Sequence, residues 1–72
     1  MKTYGDVIDK LGGSAVLARA IGERDGTIRQ WRQRDSIPPE YWSRIVGFAK
    51  DQGFTEVSID LLVQLAGRRK AA

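Results

Sequence analysis

The chain has 72 residues and a net charge of +3, with 12 Lys and Arg against 9 Asp and Glu, and it contains neither histidine nor cysteine. This length allows one small domain. The missing residue types exclude disulfides, thiolate zinc sites and catalysis by an imidazole or a thiol, and no phosphate-binding glycine pattern is present. We therefore expect no enzyme and no cofactor, metal ion or small-molecule ligand. No uncharged run is long enough to span a bilayer and no apolar signal segment is present, so we expect a cytoplasmic protein.

Apolar residues recur at three- and four-residue steps along the chain, which predicts an all-α fold. The first helix begins with a predicted capping box formed by Thr3 and Asp6, and Gly12-Gly13 ends it. Its predicted inner stripe consists of Tyr4, Val7, Ile8 and Leu11. We expect Tyr4 to be half-buried.

Two short helices are predicted next. The second begins at Ser14, whose side chain can cap it, and ends at Gly22, which tolerates a left-handed backbone. The third runs from about Asp25 to Arg34. The inner face of the second helix is predicted to contain Val16 or Leu17, with Ala18, Ala20 and Ile21, and that of the third contains Ile28 and Trp31.

Two further helices complete a predicted compact five-helix bundle. Pro39 suits the first turn of the fourth helix, Gly53 ends that helix, and Ser58 is predicted to cap the fifth. The predicted inner positions are Trp42, Ile45, Val46 and Ala49, then Ile59, Leu62, Val63 and Leu65. The aromatic residues Trp31, Trp42 and Phe48 are interpreted as core residues rather than base-stacking platforms. Residues 1–67 form the predicted domain, and residues 68–72 are expected to be a basic, flexible C-terminal tail.

The second and third helices have the spacing of a helix-turn-helix over residues 14–34. Small Ala18 allows close helix approach, Gly22 makes the turn, and Ile28 and Trp31 anchor the third helix to the core. The outward row is then Gly26, Arg29, Gln30 and Gln33. Arginine and glutamine can form paired hydrogen bonds with guanine and adenine in the major groove, and glycine permits close approach. The alternative is an ordinary soluble helix surface.

Positive charge is concentrated in this segment. Residues 14–34 carry five arginines against Glu23 and Asp25, whereas residues 35–67 have a net negative charge and the last residues are basic again. Such asymmetry is typical of a surface that meets a polyanion, because Lys and Arg release counterions from phosphates. A solvated helix face is the alternative.

Three blocks carry a resemblance to a known family. They are Asp6-Val-Ile-Asp-Lys-Leu-Gly12, Ser14-Ala-Val-Leu-Ala-Arg-Ala-Ile-Gly22-Glu-Arg-Asp-Gly-Thr-Ile28-Arg-Gln-Trp31 and Ile37-Pro-Pro-Glu-Tyr-Trp42. Together they resemble phage Cro and Cro-like (Cro/CI-type) helix-turn-helix regulators, in their small all-helical branch, over nearly Tyr4 to Ala66. The resemblance implies a lambda-repressor-like domain that binds double-stranded DNA sequence-specifically. It also implies a homodimer on palindromic operators that represses phage, prophage or mobile-element genes, in the bacterial nucleoid or a phage-infected cell.

The resemblance also implies roles for individual residues. Candidates for base contacts are Arg24, Asp25, Gly26, Arg29, Gln30 and Gln33. Candidates for phosphate contacts are Ser14, Arg19, Thr27, Arg32 and Arg34, with Ser14 also offering a backbone N–H at a helix N-terminus. Arg24 stands where the family often has a Ser or Thr cap. Because the usual cap is missing, Asp25 has two possible roles: it caps the helix, or it reads a cytosine.

Two copies are expected to bind one operator. Recognition helices must lie about 34 Å apart to read half-sites one helical turn apart, which a single copy cannot do. The C-terminal part has more apolar residues than one helix face can hide, namely Phe54, Val57, Ile59, Leu61 and Val63. We expect these to form a weak homodimer surface, completed on DNA. The alternative function is a protein-interaction module on the same scaffold, whose arginines bind an acidic protein surface.

Overall fold

The computed structural model describes the backbone of residues 1–71 and the side chains of residues 1–67. Five α-helices form: α1 (Tyr4–Lys10), α2 (Ser14–Ile21), α3 (Asp25–Arg34), α4 (Trp42–Asp51) and α5 (Ile59–Ala71). A short 3₁₀ helix, Pro39–Tyr41, precedes α4. No strand forms within residues 1–71, so the predicted all-α fold is confirmed. In the same residues no helix is both long and apolar enough to cross a membrane.

One hydrophobic core joins all five helices. Its fully enclosed side chains are Val7, Ile8, Leu17, Ile28, Ile45 and Leu62, which come from every helix. The radius of gyration is 11.0 Å, close to the value of about 11 Å expected for a compact domain of this length. The core holds the inner side of α3 in place and thereby determines which of its residues face solvent.

The first helix begins as predicted, with a capping box. The Asp6 N–H donates to Thr3 Oγ1 at 3.1 Å, and the Thr3 N–H donates to Asp6 Oδ2 at 3.2 Å. At the other end the Gly13 N–H donates to the Ile8 carbonyl at 2.9 Å. The expectation of a half-buried Tyr4 is wrong, because only 2% of it is exposed. Its hydroxyl donates to the Leu62 carbonyl at 2.9 Å, and this bond allows the polar end of the ring to be buried.

The start of α2 differs from the prediction. Ser14 is its first residue rather than its cap, and Gly13 occupies the cap position with φ 95° and no capping side-chain bond. Glycine readily takes this positive φ, so the chain turns at Gly13 and the helix starts immediately after it. Of the two alternatives for the inner face, Leu17 is buried and Val16 is 44% exposed. Ala20 was expected inside but is exposed, because the inner stripe passes through Leu17, Ala18 and Ile21.

The fourth helix begins slightly later than predicted, because Pro39 lies in the 3₁₀ helix and α4 starts at Trp42. Ile45 and Ala49 are buried. Trp42, Val46 and Phe48 are only half-buried and pack against the core. The Trp42 indole N–H donates to the Ile37 carbonyl at 2.9 Å, which satisfies the polar edge of the ring.

In α5, Ser58 caps the helix as predicted, with its Oγ accepting the Leu61 N–H at 3.1 Å. Leu62 and Leu65 are buried, but the predicted inner residues Ile59 and Val63 are 42% and 53% exposed. Successive helical residues are rotated by about 100°, so a stripe centred on Leu62 and Leu65 leaves Ile59 and Val63 on another side.

The predicted C-terminal tail is helical over much of its length, because α5 continues to Ala71. Gly67 does not adopt the positive φ that would end the helix. Arg, Lys and Ala, which follow it, are good helix formers. The side chains of residues 68–72 lie outside the described part of the chain.

Candidate nucleic-acid interface

The unit formed by α2, α3 and the three residues between them presents most of the predicted site. The turn comprises residues 22–24, and Gly22 has φ 76° and ψ 33°. Both the Gly22 and the Glu23 N–H groups donate to the Ala18 carbonyl, the latter at 2.8 Å. These bonds satisfy backbone groups at the end of α2 and direct the chain into α3. Ala18, 4% exposed, lies on the buried side of α2.

The inner side of α3 rests on the core through two residues. Ile28 has no exposed surface and Trp31 is 7% exposed. The Trp31 ring also contacts the Tyr41 ring, with centroids 4.8 Å apart and planes inclined by 51°. These contacts determine the rotation of α3 about its own axis, and hence which side chains it presents outward.

The outward face of α3 is the one predicted. Gly26, Arg29, Gln30 and Gln33 are all exposed. Gly26 has open space where a side chain would lie. Arg29 Nη2 lies 2.9 Å from Asp25 Oδ2, one turn earlier in the same helix. Within the described residues, Gln30 and Gln33 form no side-chain hydrogen bond, so both amides are free to meet a ligand.

Residues at the beginning of α3 have roles that the sequence left open. Arg24 is the cap residue, with an exposed side chain and no capping hydrogen bond. Asp25 is the first helical residue and does not act as the cap. Its Oδ1 atom is buried without a hydrogen-bond partner, while its Oδ2 faces Arg29. Thr27 is half-buried.

The arginines around α3 fall into two groups. Arg19, Arg24 and Arg34 are exposed and, within the described residues, form no ion pair. Arg32 instead directs both terminal nitrogens to the Asp9 carboxylate of α1, with Nη2 2.9 Å from Oδ2. Its positive charge therefore already has a partner inside the molecule.

A second connection between α3 and α1 lies at the end of α3. Asp35, at φ 51°, ends the helix in a left-handed conformation. Its Oδ1 accepts the Tyr4 N–H at 2.8 Å. Because this bond and the Arg32–Asp9 pair join the same two helices, α1 supports the C-terminal half of α3.

The turn is supported by Tyr41 of the 3₁₀ helix and Arg44 of α4, two residues that the sequence analysis missed. The Tyr41 hydroxyl donates to a carboxylate oxygen of Glu23, and this hydrogen bond is the main cause of a raised Tyr41 pKa. The Arg44 guanidinium lies 5.6 Å from the Tyr41 ring centre, and its Nη1 donates to the Ile21 carbonyl at 3.4 Å. Tyr41 lies in the third sequence block, but its partner is 18 residues away and no periodic pattern indicates the pair.

Among the described residues, no group of acidic side chains is arranged to hold a metal ion. The sequence matches no family model, and neither the curated proteins nor the solved structures contain a match to it.

Proposed function

We propose that the protein is a sequence-specific, DNA-binding transcriptional regulator, a Cro-like repressor of phage, prophage or mobile-element genes. In this proposal α2 and α3 act as a helix-turn-helix, and α3 reads the major groove of double-stranded DNA. The observation that carries the proposal is the exposed row of Arg29, Gln30 and Gln33 on a helix whose other side is buried. Because Ile28 and Trp31 hold that helix, the row is presented on a rigid support.

The dimensions and chemistry of α3 suit the major groove. Its ten residues extend about 15 Å, and a groove about 12 Å wide admits an α-helix. A guanidinium can donate two hydrogen bonds to guanine O6 and N7, and a glutamine amide can pair with adenine N6 and N7. Gly26 adds no bulk between the helix backbone and the bases.

Phosphate contacts are assigned by charge and exposure. Arg19 and Arg34 are exposed cations without an ion-pair partner in the described part of the chain, and Arg24, equally exposed and unpaired, remains a candidate for base contact. Ser14 opens α2, whose first N–H groups have no capping side chain and suit an anion. Thr27, on the first turn of α3, is a further candidate for phosphate contact. Arg32 is already paired with Asp9, so its contribution to phosphate binding is expected to be smaller than those of the unpaired arginines.

Dimerisation on DNA is part of the proposal. Ile59 and Val63 form an exposed apolar pair one turn apart on α5. Phe54 and Leu61 are half-buried beside the core, whereas Val57 is only 2% exposed and has little surface left for a partner. This small apolar area supports a weak homodimer that is completed when two copies occupy neighbouring half-sites.

Selection from a randomised duplex DNA pool at about 150 mM salt tests the proposal, since electrostatic binding alone is much weakened there. We expect enrichment of an inverted repeat with half-sites about one helical turn apart. Absence of enrichment by a folded protein would overturn the proposal. It would leave nonspecific DNA binding or the alternative function, a protein-interaction module on the same scaffold.

Variants of the row then test whether α3 reads the bases. Arg29→Ala is expected to cost about 1 to 3 kcal/mol on the selected duplex and to relax preference at one base pair. Lys50→Ala is the matched control, because it removes an exposed positive charge from α4. The control should keep the preference at every base pair. Equal losses by Arg29→Ala on the selected duplex and on random DNA would contradict base reading.

A further inference from the structure

Neither oxygen of the Asp25 carboxylate is fully open to a base, although the side chain is 40% exposed. Its Oδ2 is 2.9 Å from Arg29 Nη2, and its Oδ1 is buried without a hydrogen-bond partner. A cytosine amino group would have to share Oδ2 with Arg29 or uncover the buried Oδ1. Asp25 also does not cap α3, since Arg24 is the cap residue and no capping bond forms.

The Arg29 guanidinium remains open to a ligand although it is paired. Its side chain is 72% exposed, and one contact to Asp25 leaves most of its five N–H donors free. Two of the remaining donors are sufficient for the paired hydrogen bonds that guanine accepts. The ion pair therefore restrains the Arg29 guanidinium and leaves several of its N–H donors free.

We propose that Asp25 is a positioning residue that restrains Arg29 for recognition of a guanine and does not itself contact a base. This inference rests on the proposed function, because it requires α3 to enter the major groove. A restrained arginine has less rotamer freedom to lose when it binds, so the pair favours the base that the fixed guanidinium fits. The negative charge of Asp25 also repels phosphates, which weakens binding to all DNA. Asp25 therefore increases discrimination between sequences while lowering affinity for random DNA.

The test uses the full chain, the duplex recovered by selection and the variants Asp25→Ala, Arg29→Ala and the double substitution. Arg29→Ala first identifies the base pair that Arg29 reads. Asp25→Ala should lower the preference at that same base pair by about three- to tenfold, a part of the Arg29→Ala loss, and should raise affinity for random DNA. In the Arg29→Ala background, Asp25→Ala should cause no further loss of preference.

Asp51→Ala is the control for the change in net charge, because it removes an aspartate from the exposed end of α4. It should leave preference unchanged at every base pair. A readout without DNA is the mobility of the Arg29 side chain, measured by ¹⁵N relaxation of its Nε, which should increase in Asp25→Ala and remain unchanged in Asp51→Ala. Circular dichroism establishes that each variant is folded.

Three outcomes would overturn the inference. They are a loss at a different base pair that adds to the Arg29→Ala loss, equal effects of Asp25→Ala and Asp51→Ala, or unchanged preference in Asp25→Ala. Failure of the proposed function is distinct, because the wild-type protein would then select no sequence at all.

Discussion

Arg32 of α3 and Asp9 of α1 form a two-pronged ion pair across 23 residues of sequence. The Arg32 side chain passes beside Gly5, where a Cβ would lie 3.4 Å from Arg32 Cγ. The backbone of α1 thus lies close to the arginine as well as supplying its carboxylate partner. The ion pair supports α3 and also neutralises one of the five arginines in residues 14–34, the most basic segment of the chain.

We predict that Asp9→Asn releases Arg32 toward DNA phosphates. Both side chains are about half exposed, so the free energy of unfolding should fall by no more than about 1 kcal/mol. Affinity for random duplex DNA should increase, and the slope of log affinity against log salt concentration should steepen by up to about 0.9 for one added phosphate contact. Fluorescence anisotropy over a salt series measures both.

Asp51→Asn controls for the change in net charge, because Asp51 is an exposed acid of α4. It should leave the salt slope unchanged. Adding Arg32→Ala to Asp9→Asn should remove the steeper slope. If it does not, the gain does not come from Arg32.

From the Tyr41–Glu23 hydrogen bond we predict that the folded protein loses stability at alkaline pH. This bond raises the pKa of Tyr41 in the folded protein. The unfolded chain therefore loses the tyrosine proton first, so the stabilisation is complete below the ordinary tyrosine pKa of about 10 and declines as pH rises above it. Tyr41→Phe removes the bond and should lower the melting temperature at neutral pH by a few degrees. Thermal unfolding followed by circular dichroism between neutral pH and the alkaline range measures both effects.

Phe54→Leu perturbs packing at another half-buried aromatic residue without touching Tyr41 or Glu23, and it is the control for a general loss of stability. The contribution of Tyr41 to the alkaline decline should persist in this control and disappear in Tyr41→Phe. An identical alkaline decline in both variants would show that Tyr41 does not cause it.

Local patterns in the sequence were sufficient to predict α3. Gly22 provides the turn, and inward Ile28 and Trp31 determine the helix phase, so the predicted range Asp25–Arg34 and its exposed row agree with the structure. The capping box of Thr3 and Asp6 is equally local. These features depend on residues within one or two helical turns of each other.

Features that depend on distant residues were not predictable in this way. The partners of Arg32 and Tyr41 are 23 and 18 residues away, and helical periodicity contains no information about them. Ile59 and Val63 illustrate a related difficulty. Both are apolar, as core residues are. One side of α5 faces the core, however, and Leu62 and Leu65 occupy that side.

The exposed pair on α5 predicts a variant that separates dimerisation from folding. Val63→Glu places a charge in the proposed apolar interface, and because Val63 is 53% exposed, stability should change by less than about 0.5 kcal/mol. Two copies should then occupy the operator without cooperativity. Sedimentation velocity with and without operator DNA measures the assembly. Gln64→Glu adds the same charge at the next exposed position and should preserve dimers on DNA, so loss of dimers in both variants would argue against a specific apolar interface.

A matched pair of exposed helical glycines, Gly26 in α3 and Gly47 in α4, allows helix stability and DNA contact to be separated. A Cβ added at either position meets no atom within 4 Å, and neither glycine has a positive φ. Alanine should therefore stabilise the fold at both positions by about 0.5 to 1 kcal/mol, because it has the higher helix propensity.

If the backbone at Gly26 approaches the bases, its new methyl group occupies that space, and Gly26→Ala should weaken binding to the selected duplex about tenfold despite the gain in stability. Gly47→Ala should be stabilised with unchanged binding. Chemical unfolding and duplex titrations on the two variants measure these effects, and equal DNA affinities in a stabilised pair would mean that Gly26 does not approach the bases closely.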